Sequence, residues 1–121
     1  MRILFVEDND TVRALICELL TEAGQEVIDC RCAEEAEAAF DRLDFDVVLT
    51  DINLPTLSGT ELARRLMSKR PELWVVFTSG TTFEHGLEKW GPRVRLMAKP
   101  FDDDDLGRLF AEISTAGTSN N

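Results

Sequence analysis

The chain alternates short apolar runs with amphipathic segments, and this alternation constrains its fold more than any other feature. Five apolar runs follow one another along the chain: ILFV, EVIDC, DVVLTD, LWVVFTSG and RVRLMAKP. Nearly continuous apolar runs are typical of parallel strands that are covered on both faces. Strands that alternate with helices predict an α/β fold, here a doubly wound five-stranded parallel sheet with helices on both faces.

Helical spacing of apolar residues separates these runs. In segment 11–23 the apolar positions are Val12, Leu15, Ile16, Leu19 and Ala23, and in segment 33–43 they are Ala36, Ala39, Phe40 and Leu43. Segment 60–69 follows the same pattern, whereas segment 82–89 has weak periodicity and predicts only a short helix. A last helix is expected to begin near residue 102, where the run of aspartates at 102–105 suits the positive end of a helix dipole.

The length of 121 residues is enough for one hydrophobic core. We therefore expect a single domain over residues 1–113 and a polar tail, frayed or serving as a linker, over 114–121. The connections between parallel strands are nearly always right-handed, and the expected strand order is the flavodoxin-like 2-1-3-4-5.

Composition excludes several classes of function. The formal net charge of -10 argues against direct binding to nucleic acid or to an anionic membrane. The apolar runs are too short to span a bilayer or to form a signal peptide, so a cytoplasmic location is expected. The three cysteines lack the spacing of a zinc site and are expected to be reduced, and a single histidine, His85, gives little support to a catalytic triad.

Polar side chains follow four of the predicted strands at their carboxyl ends. Strand one ends in Glu7 and Asp8, strand three in Asp51, strand four in Thr78 and Ser79, and strand five in Lys99. Taken singly, each has an ordinary structural explanation: Glu7 and Asp8 as solvated loop residues, for example, with Asn9 or Asp10 as a helix N-cap. The carboxyl ends of parallel strands form the crevice where ligands bind, so the joint placement favours a functional site.

Over residues 2–113 the sequence resembles the receiver domain of two-component response regulators, through the motifs ILFVEDND, DVVLTDINLPTLSG, VVFTSG and LMAKPF. The resemblance implies that Asp51 is the phosphoacceptor and that Lys99 contacts the phosphoryl oxygens. It also implies that Ser79 is the hydroxyl that responds to phosphorylation, and Thr78 is the alternative in a register that pattern alone leaves open.

The family resemblance also implies Mg²⁺ as cofactor. Direct ligation is expected from Asp8 and Asp51 and from the backbone carbonyl of Asn53, and Glu7 is expected to act through water. A hard cation that dehydrates reluctantly suits a site of few carboxylates, a carbonyl and waters.

These implications predict a phosphoacceptor signalling domain of a two-component system or phosphorelay. Its expected partners are a histidine kinase or histidine phosphotransfer protein and a downstream protein target, and homodimerisation is left open. The alternative is a phosphorylation-independent binding module, against which Asp8, Asp51 and Lys99 argue. A phosphohydrolase is disfavoured because the sequence DIN lacks a second acid two residues after the nucleophile, so we expect no enzyme activity beyond slow self-dephosphorylation.

The chain departs from the family at the position of an aromatic residue, besides the weak periodicity of segment 82–89. Many receivers carry Tyr or Phe three residues before the conserved lysine, whereas this chain has Leu96 there and no tyrosine at all. The missing aromatic and the VFTSG strand end resemble a subgroup with an F-A-T-G type fourth strand. The resemblance also implies a cis peptide bond between Lys99 and Pro100.

Overall fold

Five parallel strands form one sheet in the order β2-β1-β3-β4-β5. The computed structural model describes residues 1–79, 90–99 and 101–118, and for residues 116–118 it describes the backbone only. The strands are β1 (Arg2–Val6), β2 (Glu26–Cys30), β3 (Val47–Asp51), β4 (Trp74–Ser79) and β5 (Val94–Ala98). The predicted fold class and strand order are both confirmed.

Four helices connect or follow these strands in the described residues. They are α1 (Asp10–Glu22), α2 (Ala33–Arg42), α3 (Gly59–Lys69) and α4 (Asp103–Thr118). The predicted helix at 82–89, His85 and the bond to Pro100 lie outside the described residues.

Side chains at the helix starts satisfy backbone N–H groups that have no partner inside the helix. Asn9 caps α1 by accepting a hydrogen bond from the Val12 N–H at 2.9 Å, which decides between the two predicted caps. At α4, Asp102 and Asp105 each accept a hydrogen bond from the other's backbone N–H, both at 3.0 Å. The aspartate run is therefore a capping box at the positive end of the helix dipole.

The core lies in two layers, one on each face of the sheet. Ile3, Phe5, Leu49 and Val76 lie on the face covered by α1 and α4, and Leu4, Val6, Val48 and Phe77 lie on the face covered by α2 and α3. Both faces of the central strands are buried, which explains why their sequences show no alternation of polar and apolar residues.

Two leucines predicted to face the core are exposed instead: Leu15 is 59% exposed and Leu43 is 40% exposed. Ile16 and Leu20 form the buried stripe of α1, and Leu15 lies about 100° around the helix axis from Ile16. Leu43 follows the last residue of α2 with an extended backbone, so it leaves the apolar face of that helix.

The carboxyl-terminal helix is longer than predicted. It continues to Thr118, into the segment 114–121 that was expected to be a frayed tail. Once a helix is nucleated, each added residue gains a backbone hydrogen bond, so small and polar residues can extend a helix that packing anchors upstream.

Within the described ranges no helix is long and apolar enough to cross a membrane. The cysteines Cys17, Cys30 and Cys32 are free thiols, as predicted. Burial raises the pKa of Cys30 to about 11, so this thiol stays protonated and behaves as a small core residue.

Candidate functional site

The predicted site residues meet at the carboxyl edge of the sheet. Glu7 follows β1, Asp51 ends β3, Ser79 ends β4 and Lys99 follows β5. Since all the strands are parallel, these ends lie along one rim. Residues that are up to 92 positions apart in sequence are thereby brought into hydrogen-bond contact.

Lys99 joins two of the carboxylates. Its Nζ lies 2.8 Å from Oε1 of Glu7 and 3.0 Å from Oδ2 of Asp51. The Lys99 backbone N–H donates to the Ser79 carbonyl at 2.8 Å, which fixes where the side chain starts. This ammonium supplies the positive charge that a cluster of carboxylates requires.

The protonation of Lys99 follows from this environment. Burial lowers the pKa of Lys99, but the hydrogen bonds and charges of Glu7 and Asp51 outweigh that effect, and its pKa is raised above 10.5. Lys99 therefore stays positively charged at neutral pH.

Each of these two carboxylates is also bound by a nearby backbone N–H. Oε2 of Glu7 accepts a hydrogen bond from the Asn9 N–H, and Oδ1 of Asp51 accepts one from the Asn53 N–H, each at 3.1 Å. Glu7 is only 2% exposed, so its position is fixed from both ends of the carboxylate. The two short turns that follow β1 and β3 thus orient the acidic groups by local hydrogen bonds.

Asp8 completes an acidic cluster at this rim. Carboxylate oxygens of Glu7, Asp8 and Asp51 lie within 4.8 Å of one another, and Asp8 is exposed. An all-oxygen donor set with one open, solvated side fits a hard divalent cation that keeps part of its water shell. Among the residues that the structure describes, neither a thiol nor an imidazole joins this cluster, and carboxylate oxygens suit a hard cation better than a softer metal.

The two hydroxyl candidates occupy successive positions of β4. Thr78 is in register with Asp51 of β3, and Ser79 is in register with Ala98 of β5. Thr78 is fully buried, and in the described part of the chain its Oγ1 has no hydrogen-bond partner. Ser79 is the last residue of the strand and lies at the rim, one position closer to Lys99.

Two residues of this site were not predicted from the sequence. Gly59, the first residue of α3, packs against the backbone of Asp51: a Cβ at Gly59 would lie 2.0 Å from the Asp51 carbonyl oxygen. Arg13 of α1 donates from Nη1 to the Glu7 carbonyl at 3.0 Å. The only signals in the sequence were a glycine at a helix start and a cation one turn after the acidic stretch, and neither is specific.

A family profile and several known proteins are similar to this chain in sequence. A sequence profile of the response regulator receiver domain matches residues 3–110. The transcriptional regulatory protein TcrA of Mycobacterium tuberculosis is 34% identical over 97% of this chain, which spans 47% of TcrA. The chain thus spans about half the length of that relative.

A shorter relative and a solved structure match along most of their length. The response regulator receiver protein CpdR of Brucella abortus is 33% identical over 87% of this chain and 89% of its own. The crystal structure of the response regulator TrrA of Thermotoga maritima, in complex with Mg²⁺ and BeF, superimposes with a TM-score of 0.82 at 28% identity. That match covers 93% of this chain and 97% of TrrA.

Proposed function

The chain belongs to the response regulator receiver domain family, and from that premise we propose that it is a phosphoacceptor signalling domain of a two-component system or phosphorelay. Asp51 accepts a phosphoryl group from a histidine kinase or a histidine phosphotransfer protein, and the phosphorylated domain binds a downstream protein target. The observation that carries this proposal is the Asp51 carboxylate, which is hydrogen-bonded to Lys99 and clustered with Glu7 and Asp8.

The residues around Asp51 fit Mg²⁺ as cofactor. Asp8 and Asp51 would bind the ion directly, together with the Asn53 backbone carbonyl. Glu7 would act through water, because its side chain is only 2% exposed, against 13% for the side chain of Asp51. When bound, Mg²⁺ would neutralise part of the negative charge on the transferring phosphoryl group. The TrrA structure, which was solved with Mg²⁺ and BeF, supports this choice of metal.

Phosphoryl transfer requires little covalent chemistry from the protein, so positioning and positive charge account for most of the catalysis. A carboxylate oxygen of Asp51 attacks phosphorus, the new P–O bond forms, and the P–N bond to the donor imidazole breaks. Lys99 stabilises the charge on the phosphoryl oxygens, and the Ser79 hydroxyl donates to one of them once the aspartyl phosphate exists. The added charge and acceptor oxygens then favour a second arrangement of the surface.

The proposed role is that of a signalling domain and not of an enzyme that turns over a substrate. Its own acyl phosphate would hydrolyse slowly. A phosphorylation-independent binding module is less well supported, because it would have no use for the Asp51, Asp8 and Lys99 constellation.

The proposal is tested by intact-protein mass spectrometry after incubation with acetyl phosphate, with Mg²⁺ or with EDTA. We expect one added phosphoryl group in the wild type with Mg²⁺, and none with EDTA or in Asp51→Asn. Asp46→Asn is the matched control: Asp46 precedes the same strand at its other end, where its carboxylate accepts the Arg2 N–H. Labelling of Asp51→Asn to the wild-type extent would contradict the proposal.

A further inference from the structure

Arg13 connects three parts of the structure next to the acidic cluster. Its Nη1 donates to the Glu7 carbonyl at 3.0 Å, its Nη2 lies 2.7 Å from Oδ1 of Asp10, and its Nε lies 3.3 Å from Oδ2 of Asp29. Its side chain is only 14% exposed. A planar guanidinium has several donors in a fixed arrangement, so one residue can make all of these contacts at once.

The contact with Glu7 bears directly on the acidic cluster. The Glu7 carbonyl belongs to the peptide bond that leads to Asp8, the exposed member of that cluster. Asp29 lies in β2, where it is in register with Phe5 of β1, so the sheet holds this anchor in place. Arg13 therefore ties the peptide between the two acids to β2 of the sheet.

We propose that Arg13 is a positioning residue for Mg²⁺ binding: its bridge from the Asp29 carboxylate to the Glu7 carbonyl holds Asp8 near Asp51 before the ion arrives. This inference rests on the proposed function, since it concerns the same metal site. Groups that orient metal ligands commonly change metal affinity by 10 to 100-fold when they are removed.

A positioning role and a purely electrostatic role predict opposite effects of removing Arg13 on the affinity for Mg²⁺. A cation close to a metal site repels Mg²⁺, so if Arg13 acts only through its charge, removing it should tighten binding. If Arg13 holds the loop, removing it should weaken binding, because the ion must then order Asp8 itself. The lysine variant keeps the charge but cannot make the three contacts at once.

The experiment is a calorimetric titration of the protein with Mg²⁺ alone, for the wild type, Arg13→Met and Arg13→Lys. We expect the Kd to rise about tenfold in Arg13→Met, with a smaller rise in Arg13→Lys. Arg2→Met is the matched control, because Arg2 makes the same kind of bridge at the opposite edge of the sheet. It pairs with Glu26 of β2 at 2.9 Å and donates to the Asp44 carbonyl at 3.1 Å, and its loss should leave the Kd unchanged.

Thermal unfolding in EDTA separates positioning from a general loss of stability. Arg13→Met and Arg2→Met are both expected to lower the melting temperature, whereas only Arg13→Met should move the Kd. The Mg²⁺ concentration that gives half-maximal phosphoryl labelling should rise in parallel, with the same labelling rate at saturating Mg²⁺. If Arg13→Met does not fold, Arg13→Lys still decides the matter through its Kd.

Failure of the proposed function and failure of this inference about Arg13 give different experimental results. If the wild type binds no Mg²⁺, both the proposed function and this inference are wrong. If the wild type binds Mg²⁺ and Asp8→Asn weakens that binding, but the Arg13 variants bind as tightly as the wild type or more tightly, only the inference is overturned.

Discussion

Gly59 shows how one residue can determine the geometry of the phosphoacceptor strand. Its N–H donates to the Ile52 carbonyl at 2.8 Å, and a Cβ there would meet the Asp51 carbonyl oxygen at 2.0 Å. That contact is with backbone at the end of a buried strand, so no side-chain rotation can relieve it. We expect Gly59→Ala to lower the free energy of unfolding by about 1–3 kcal/mol, the usual cost of overpacking, and to slow labelling of Asp51.

Urea unfolding of Gly59→Ala and Gly107→Ala tests this expectation. Gly107 lies within α4, and a Cβ there would meet nothing within 4 Å. Gly107→Ala should therefore stabilise the protein by about 0.5–1 kcal/mol, through helix propensity alone. If Gly59→Ala is as stable as the wild type and is labelled normally, the close approach to Asp51 is not a constraint.

The acidic residues and Lys99 could be predicted because each stands at the carboxyl end of a strand that hydrophobicity reveals. Arg13 and Gly59 were not predicted because their roles depend on contacts with backbone atoms of other segments. A pattern of residue types shows which face of an element is buried, but it does not show which carbonyl a distant guanidinium reaches. For the same reason, the sequence did not decide whether Thr78 or Ser79 is the hydroxyl that responds to phosphorylation.

β4 offers a direct way to distinguish its two hydroxyls. Thr78 is fully buried and, among the described residues, its Oγ1 has no hydrogen-bond partner. Leaving a buried hydroxyl unsatisfied is unfavourable, and valine has nearly the same shape as threonine. We expect Thr78→Val to stabilise the fold by about 1 kcal/mol and to leave the response to phosphorylation intact.

Ser79→Ala is the complementary variant. It should still be labelled by acetyl phosphate, but its amide NMR spectrum should change much less on phosphorylation than that of the wild type. The spectra of both variants, recorded with and without acetyl phosphate, decide the question. If Thr78→Val loses the response and Ser79→Ala keeps it, Thr78 is the switching hydroxyl and the preferred register is wrong.

Most of the described helices and strands were predicted from the sequence at nearly their observed positions. The predicted starts of α1 and α3 lie within one residue of the observed ones, since caps and turns mark them. The error at Leu15 arose because apolar spacing defines a broad stripe, of which the sheet covers only part, and the error at Leu43 arose because the helix ends one residue before it. The extra length of α4 was not predicted because residues 114–118 have no apolar periodicity.

For the whole molecule, the doubly wound topology makes one site from distant segments. Parallel strands bring the ends of β1, β3, β4 and β5 to one edge, and helices cover both faces of the sheet. This arrangement was predictable because alternating strands and helices admit few topologies. It places Asp51 beside Lys99 and the carboxylates of Glu7 and Asp8, and from this placement we infer that Asp51 carries the phosphoryl group.

The most direct test of that claim identifies the modified residue. Protein incubated with acetyl phosphate and Mg²⁺ is treated with borohydride, which reduces an aspartyl phosphate to homoserine, and the peptides are then sequenced by mass spectrometry. We predict homoserine at position 51, and none there when acetyl phosphate or Mg²⁺ is omitted. Homoserine at another aspartate, with position 51 unmodified, would show that Asp51 is not the phosphoacceptor.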